Sequence, residues 1–81
     1  MRKSVYSDAY KSAMLALKAA RQRAGLSQAE LAKRLRRPQT FVSKYELGER
    51  RLDVVEFAAA AIAIGVDPAP IFKRLVKQLR D

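Results

Sequence analysis

Between Ser27 and Glu49 the chain starts and stops a short helix twice, and the rest of a small protein has to be built around that break. Ser27 stands three residues before Glu30, the spacing of a capping box: the hydroxyl accepts from a helix N–H and the carboxylate accepts from the N–H of the cap itself. The first helix therefore starts at Gln28. Leu31, Ala32 and Leu35 recur at helical spacing and give it one apolar stripe, with Lys33, Arg34 and Arg36 turned to water. Pro38 lacks an N–H and restricts the residue before it, so this helix stops near Leu35. From Gln39 the period restarts. Val42 and Tyr45, joined by Phe41, mark the packed side, and Gly48 supplies a C-terminal cap.

That packing leaves Gln39, Thr40, Ser43 and Lys44 on the solvent side of the second helix, and all four can donate hydrogen bonds. Gln matches the paired donor and acceptor of adenine, Lys matches guanine O6 and N7 or a phosphate, and Thr matches a base edge or a thymine methyl. Two short helices joined by a tight turn, the second with such an edge, make a device for reading DNA.

In chain order, Gly25-Leu26-Ser27-Gln28-Ala29-Glu30-Leu31-Ala32, Val42-Ser43-Lys44-Tyr45-Glu46, Gly48-Glu49-Arg50-Arg51, Leu52 to Glu56 and Gly65-Val66-Asp67-Pro68 resemble the helix-turn-helix XRE family, which contains the phage repressors and Cro proteins. The resemblance implies an all-α, five-helix, lambda-repressor-like domain with a central helix-turn-helix whose third helix enters the major groove. It implies that Gln28 holds a backbone phosphate through its side chain and the helix N-terminus. It implies that Gln39, Thr40, Ser43 and Lys44 contact bases or flanking phosphates, and that Arg21 and Glu46 form an internal ion pair.

At the turn, Arg36 and Pro38 depart from the family pattern. Arg36 stands where the family usually has Gly, although a left-handed backbone there costs a residue with a Cβ about 1 kcal/mol. Pro38 stands where Ser or Thr commonly caps the reading helix. The turn geometry, and which of Gln39 and Thr40 lies deeper in the groove, stays open.

Composition narrows the function class. With neither Cys nor His in 81 residues there is no disulfide framework and none of the usual zinc ligands, so no metal or cofactor is expected. No histidine base, Gly-rich phosphate loop or metal cluster accompanies the Ser, Lys and carboxylate residues, so the chain is not expected to be an enzyme. A formal charge of +9 suits a polyanionic partner. Its placement agrees: seven basic residues against three acidic ones lie between 28 and 51, most of them beside the reading helix. Arg36, Arg37, Arg50 and Arg51 are candidate phosphate contacts.

Outside that unit, residues 1–6 are expected to form a flexible basic arm with no export signal, and residues 7–81 a single domain. From Ser7, Tyr10, Met14, Leu17, Arg21 and Ala24 fall at helical spacing up to Gly25, with Ala13 and Ala20 widening the stripe. Asp53 and Glu56 repeat the capping box and open a helix to about Ile64 that is apolar nearly all round yet too short to span a bilayer. Asp67-Pro68 opens the last helix. Ile71, Phe72, Leu75, Val76 and Leu79 form the candidate dimer interface, because members of the resembled family commonly dimerise through the C-terminal end, and Ile62, apolar like Ala59 where the family is more often polar, extends it.

The resulting expectation is a cytoplasmic, bacterial or phage transcription regulator, a repressor binding double-stranded DNA as a homodimer. The competing expectation is an antitoxin or other protein-binding helical module of the same fold, and the candidate protein partners of the chain are a toxin or RNA polymerase. A membrane role is not expected.

Overall fold

The computed structural model describes the backbone from Arg2 to Asp81 and side chains from Val5 onward. Five helices follow one another: α1 (Arg2–Arg23), α2 (Gln28–Leu35), α3 (Gln39–Leu47), α4 (Val54–Ile64) and α5 (Ala69–Arg80). Their limits follow from local chemistry. Ser27 Oγ accepts from Glu30 N at 3.0 Å while Ser27 N donates to the Glu30 carboxylate at 2.8 Å, which satisfies two of the free N–H groups that open α2. Asp53 and Glu56 repeat the exchange at α4, at 2.7 and 3.0 Å. Asp67 accepts from Ala69 N at 2.9 Å and starts α5.

The turn between α2 and α3 is made by Arg36 in the left-handed region, at φ 56°, the one non-glycine described residue with positive φ. Arg36 N donates to Lys33 O and Arg37 N to Ala32 O, so the last carbonyls of α2 are met despite the unfavourable backbone. Pro38 then takes the cap position of α3 with no side-chain hydrogen bond.

α1 begins earlier than the sequence pattern indicated. The backbone from Arg2 to Tyr6, assigned to an arm, is helical. No Gly or Pro interrupts it, and Ser7 has Tyr10 rather than a carboxylate three residues on, so nothing there restarts a helix. Met1 and the side chains of Arg2, Lys3 and Ser4 lie outside the described residues.

The core gathers Ala13, Met14, Leu17 and Ala20 of α1, Leu31 and Ala32 of α2, and Phe41, Val42 and Tyr45 of α3 against Leu52, Ala60, Ala61, Ile64 and Ile71. α1 is the spine, touching α3, α4 and α5, while α2 bridges α3 and α4. Ile71, expected in the dimer interface, is only 7% exposed and belongs to the core. The apolar stripe of α5 is wider than the arc that α1 covers. Ile71 therefore turns inward, Leu75 packs at the margin, and Phe72 and Leu79 stay exposed.

The left-handed Arg36 yields a stability prediction. Arg36→Gly removes the Cβ clash but adds freedom to the unfolded chain, for a net gain of about 0.5 to 1 kcal/mol in urea unfolding. A midpoint at or below the parent's would show that the arginine is not strained.

Candidate nucleic-acid interface

The direction in which α3 faces is set by a buried charge cluster. Arg21 on α1, 7% exposed, donates through Nε to Glu46 at 2.8 Å and through Nη2 to the same carboxylate at 3.0 Å. Its Nη1 donates to Leu26 O at 2.7 Å, and Gln28 Nε2 donates to Glu46 at 2.9 Å. One carboxylate thus joins α1 and the start of α2 to α3. The hydrogen bond from Glu46 pushes the Arg21 pKa up, against the opposing effect of burial, so the guanidinium stays charged.

With Phe41, Val42 and Tyr45 buried, Gln39, Thr40 and Lys44 are exposed and Ser43 is half-buried on the opposite side. Ser43 Oγ donates to Thr40 O at 3.3 Å, which leaves its lone pairs as the free hydrogen-bonding sites. The four residues expected to meet bases share one edge. A fifth lies among them: at about 100° per residue, Leu47 falls between Ser43 and Thr40 on the helix circumference. It is 71% exposed. A search for polar donors passes over it, but its place three residues after Lys44 and four after Ser43 was available in the sequence.

The expected phosphate contacts divide into free and engaged groups. Arg36 and Arg51 are exposed, and neither pairs with a carboxylate among the described residues. The Arg51 guanidinium lies 4.2 Å from the centre of the Tyr10 ring, and the Tyr10 hydroxyl accepts from Leu52 N at 3.0 Å, pinning this loop to α1. Gln28 uses one amide N–H on Glu46 and keeps the other.

Arg37 and Arg50 instead converge on Glu56. Arg37 donates to it at 2.9 Å, Arg50 grips both its oxygens at 2.9 Å, and the two guanidiniums lie 4.2 and 4.8 Å from the Phe41 ring centre. The hydrogen bond from Arg50, then that from Asp53 N, draws the Glu56 pKa down to about 2. Sequence reading saw Glu56 only as a cap partner, since its arginines are six and nineteen residues away.

Of the residues expected at a dimer interface, Ile62 is 69% exposed on α4, Phe72 and Leu79 are exposed on α5, and Leu75 and Val76 are half-buried. No helix of the described chain is long and apolar enough to cross a membrane.

A family model described as a helix-turn-helix domain matches residues 15–71, which include α2, α3 and the whole outward edge of α3. In structure the chain is similar to an XRE-family like protein from Pseudomonas syringae pv. tomato str. DC3000, with a TM-score of 0.88 and 45% sequence identity over 93% of this chain and 92% of that one. No curated protein matches the chain in sequence.

Two outcomes follow from the charge clusters. Glu46→Ala strands the buried Arg21 charge and should lower unfolding stability by about 3 to 5 kcal/mol, a loss that urea titration of parent and variant would measure. Glu56 has its pKa depressed in the folded state, from 4.5 to about 2, so its stabilisation is full above about pH 4.5 and disappears as pH falls toward 2. Glu56→Gln should flatten the pH dependence of stability across that window; an unchanged acid limb would show that Glu56 is not the titrating group.

Proposed function

This chain belongs to the XRE-type helix-turn-helix family, and from that premise we propose that it is a transcription regulator that binds double-stranded DNA sequence-specifically and represses. The observation that carries the reading is the outward edge of α3, four hydrogen-bonding side chains held clear of the core by the Arg21, Glu46 and Gln28 cluster. A helix of this size fits the major groove, where each base pair presents a distinct pattern of donors and acceptors. Gln39 and Thr40 in the first turn face the base edges, with Ser43 and Lys44 one turn on.

Phosphates are held around that helix by Gln28, Arg36, Arg37, Arg50 and Arg51. Arg37 and Arg50 reach them already oriented by Glu56, and each keeps N–H groups that the carboxylate does not use. Two copies bind an inverted repeat with half-sites about one helical turn apart, joined through Ile62, Phe72, Leu75, Val76 and Leu79. These apolar residues also support a second reading, an antitoxin whose α5 caps a protein partner while α3 binds the promoter. Isolation from cells with a stoichiometric second protein would favour it.

Against the duplex preferred from a random pool, Gln39→Ala or Lys44→Ala should weaken binding by about 1 to 3 kcal/mol and relax the base preference at one position. Parent-like ratios of specific to random DNA binding in both variants would remove α3 as the reading element.

A further inference from the structure

An open groove of about 340 Å³ runs between α1 and the C-terminal end of α3. Lys11, Leu15 and Lys18 line it from α1, with Leu47 and Arg51 across from them. The spacing puts the three α1 residues on one face, the lysines two turns and about 10 Å apart along the axis. Leu15 between them is 65% exposed. The one carboxylate lining the groove, Glu46, is already taken by Arg21 and Gln28. Neither lysine, nor Arg51, has a carboxylate within salt-bridge distance among the described residues. The loop cations differ: Arg37 and Arg50 share Glu56, so two guanidiniums there leave a single net positive charge. Unneutralised charge next to α3 is thus found on α1 as well as at Arg36 and Arg51, and Lys11 precedes the span matched by the family model.

We propose that Lys11 and Lys18, together with Arg51, hold the sugar-phosphate backbone that flanks the half-site, making α1 a second phosphate-binding strip outside the two-helix unit. This rests on the DNA-binding reading above. Continuity supports it: Leu47 belongs both to the outward edge of α3 and to the groove wall, so a duplex seated on that edge brings a strand to the groove. Chemistry supports it as well. A nucleic-acid strand alternates anionic phosphates with apolar deoxyribose faces, and the groove alternates ammonium groups with Leu15 and Leu47. Lysines on flexible stems act as point charges toward phosphate without demanding one geometry. An acidic partner helix would match the charge, but nothing ties it to the edge of α3.

The test is the salt dependence of binding by the full chain carrying Lys11→Ala and Lys18→Ala together, on the duplex preferred from a random pool. Each phosphate contact contributes about 0.9 to the slope of log K against log salt, so the double variant should lose about 1.8 from the magnitude of that slope. Its preference for that duplex over random DNA should stay within about twofold, since phosphate contacts carry no base information. The matching Lys11→Arg and Lys18→Arg variant should restore the slope. Both lysines lie outside the core, and circular dichroism would verify that the variants fold. A parent-like slope in the alanine variant overturns the proposal and leaves the groove to another partner, such as an acidic peptide. A lost preference with an unchanged slope overturns it too. Failure of the parent itself to bind any duplex would instead remove the underlying regulator reading.

Discussion

The bidentate contact between Arg21 and Glu46 is the interaction on which the use of α3 depends. α3 spans nine residues, too few to hold a helix in water without tertiary support. Phe41, Val42 and Tyr45 supply that support, but apolar contact is non-directional and tolerates small rotations about the helix axis. A planar guanidinium gripping both carboxylate oxygens does not. With Leu26 O and the Gln28 amide completing the cluster, α3 is fixed against α1 and the start of α2 at one angle. The desolvation cost of burying two charges makes such a pair a weak source of net stability. Its value here is orientation, since it fixes the direction in which the outward edge of α3 faces.

A second carboxylate explains how the turn before α3 survives two unfavourable residues. Arg36 occupies a left-handed backbone without the freedom of glycine, and Pro38 cannot cap α3 with its side chain. Between them Arg37 reaches across to Glu56 and lies over the Phe41 ring, so the turn is strapped from outside to α4 and to the first turn of α3. Arg50, from the loop after α3, meets the same carboxylate and the same ring. Both ends of α3 are therefore tied to one residue that also caps α4. What the turn lacks in local chemistry is supplied by a charge pair distant in sequence.

That division between local and distant causes accounts for what the sequence disclosed. The capping boxes at Ser27 and Asp53, the stop at Pro38 and the glycine ends at Gly48 and Gly65 act within four residues, and each boundary lies where its signal stands. The inner and outer sides of α3 follow from three apolar residues at helical spacing and were equally legible. The start of α1 was not, because a helix without a cap or breaker near its beginning carries no mark of where it begins. The arginine partners of Glu56 were hidden for the opposite reason: their pairing is a product of the tertiary fold. Leu47 is hard to find in the sequence because an edge expected to meet bases suggests donors, whereas exposure on that edge is a matter of geometry alone.

The fate of the α5 stripe shows how the long first helix reshapes the outer surface. α1 lies along α5, closed by Ile71 and Leu75 packing inward and by Gln78 donating to Ser12 at 3.4 Å. Its turns before residue 15 bury Ala9, Ala13 and Met14, so the first half of α1 is packed as well as the second. Large apolar side chains remain exposed at Phe72 and Leu79 on α5 and at Val54, Val55 and Ile62 on α4. Scattered exposed apolar residues need no partner, and only a contiguous patch drives association. Phe72 and Leu75 of α5 line one shallow groove with Val54 and Phe57 of α4, so the apolar surface beside α5 is built from both helices, while Ile71 is spent on the core.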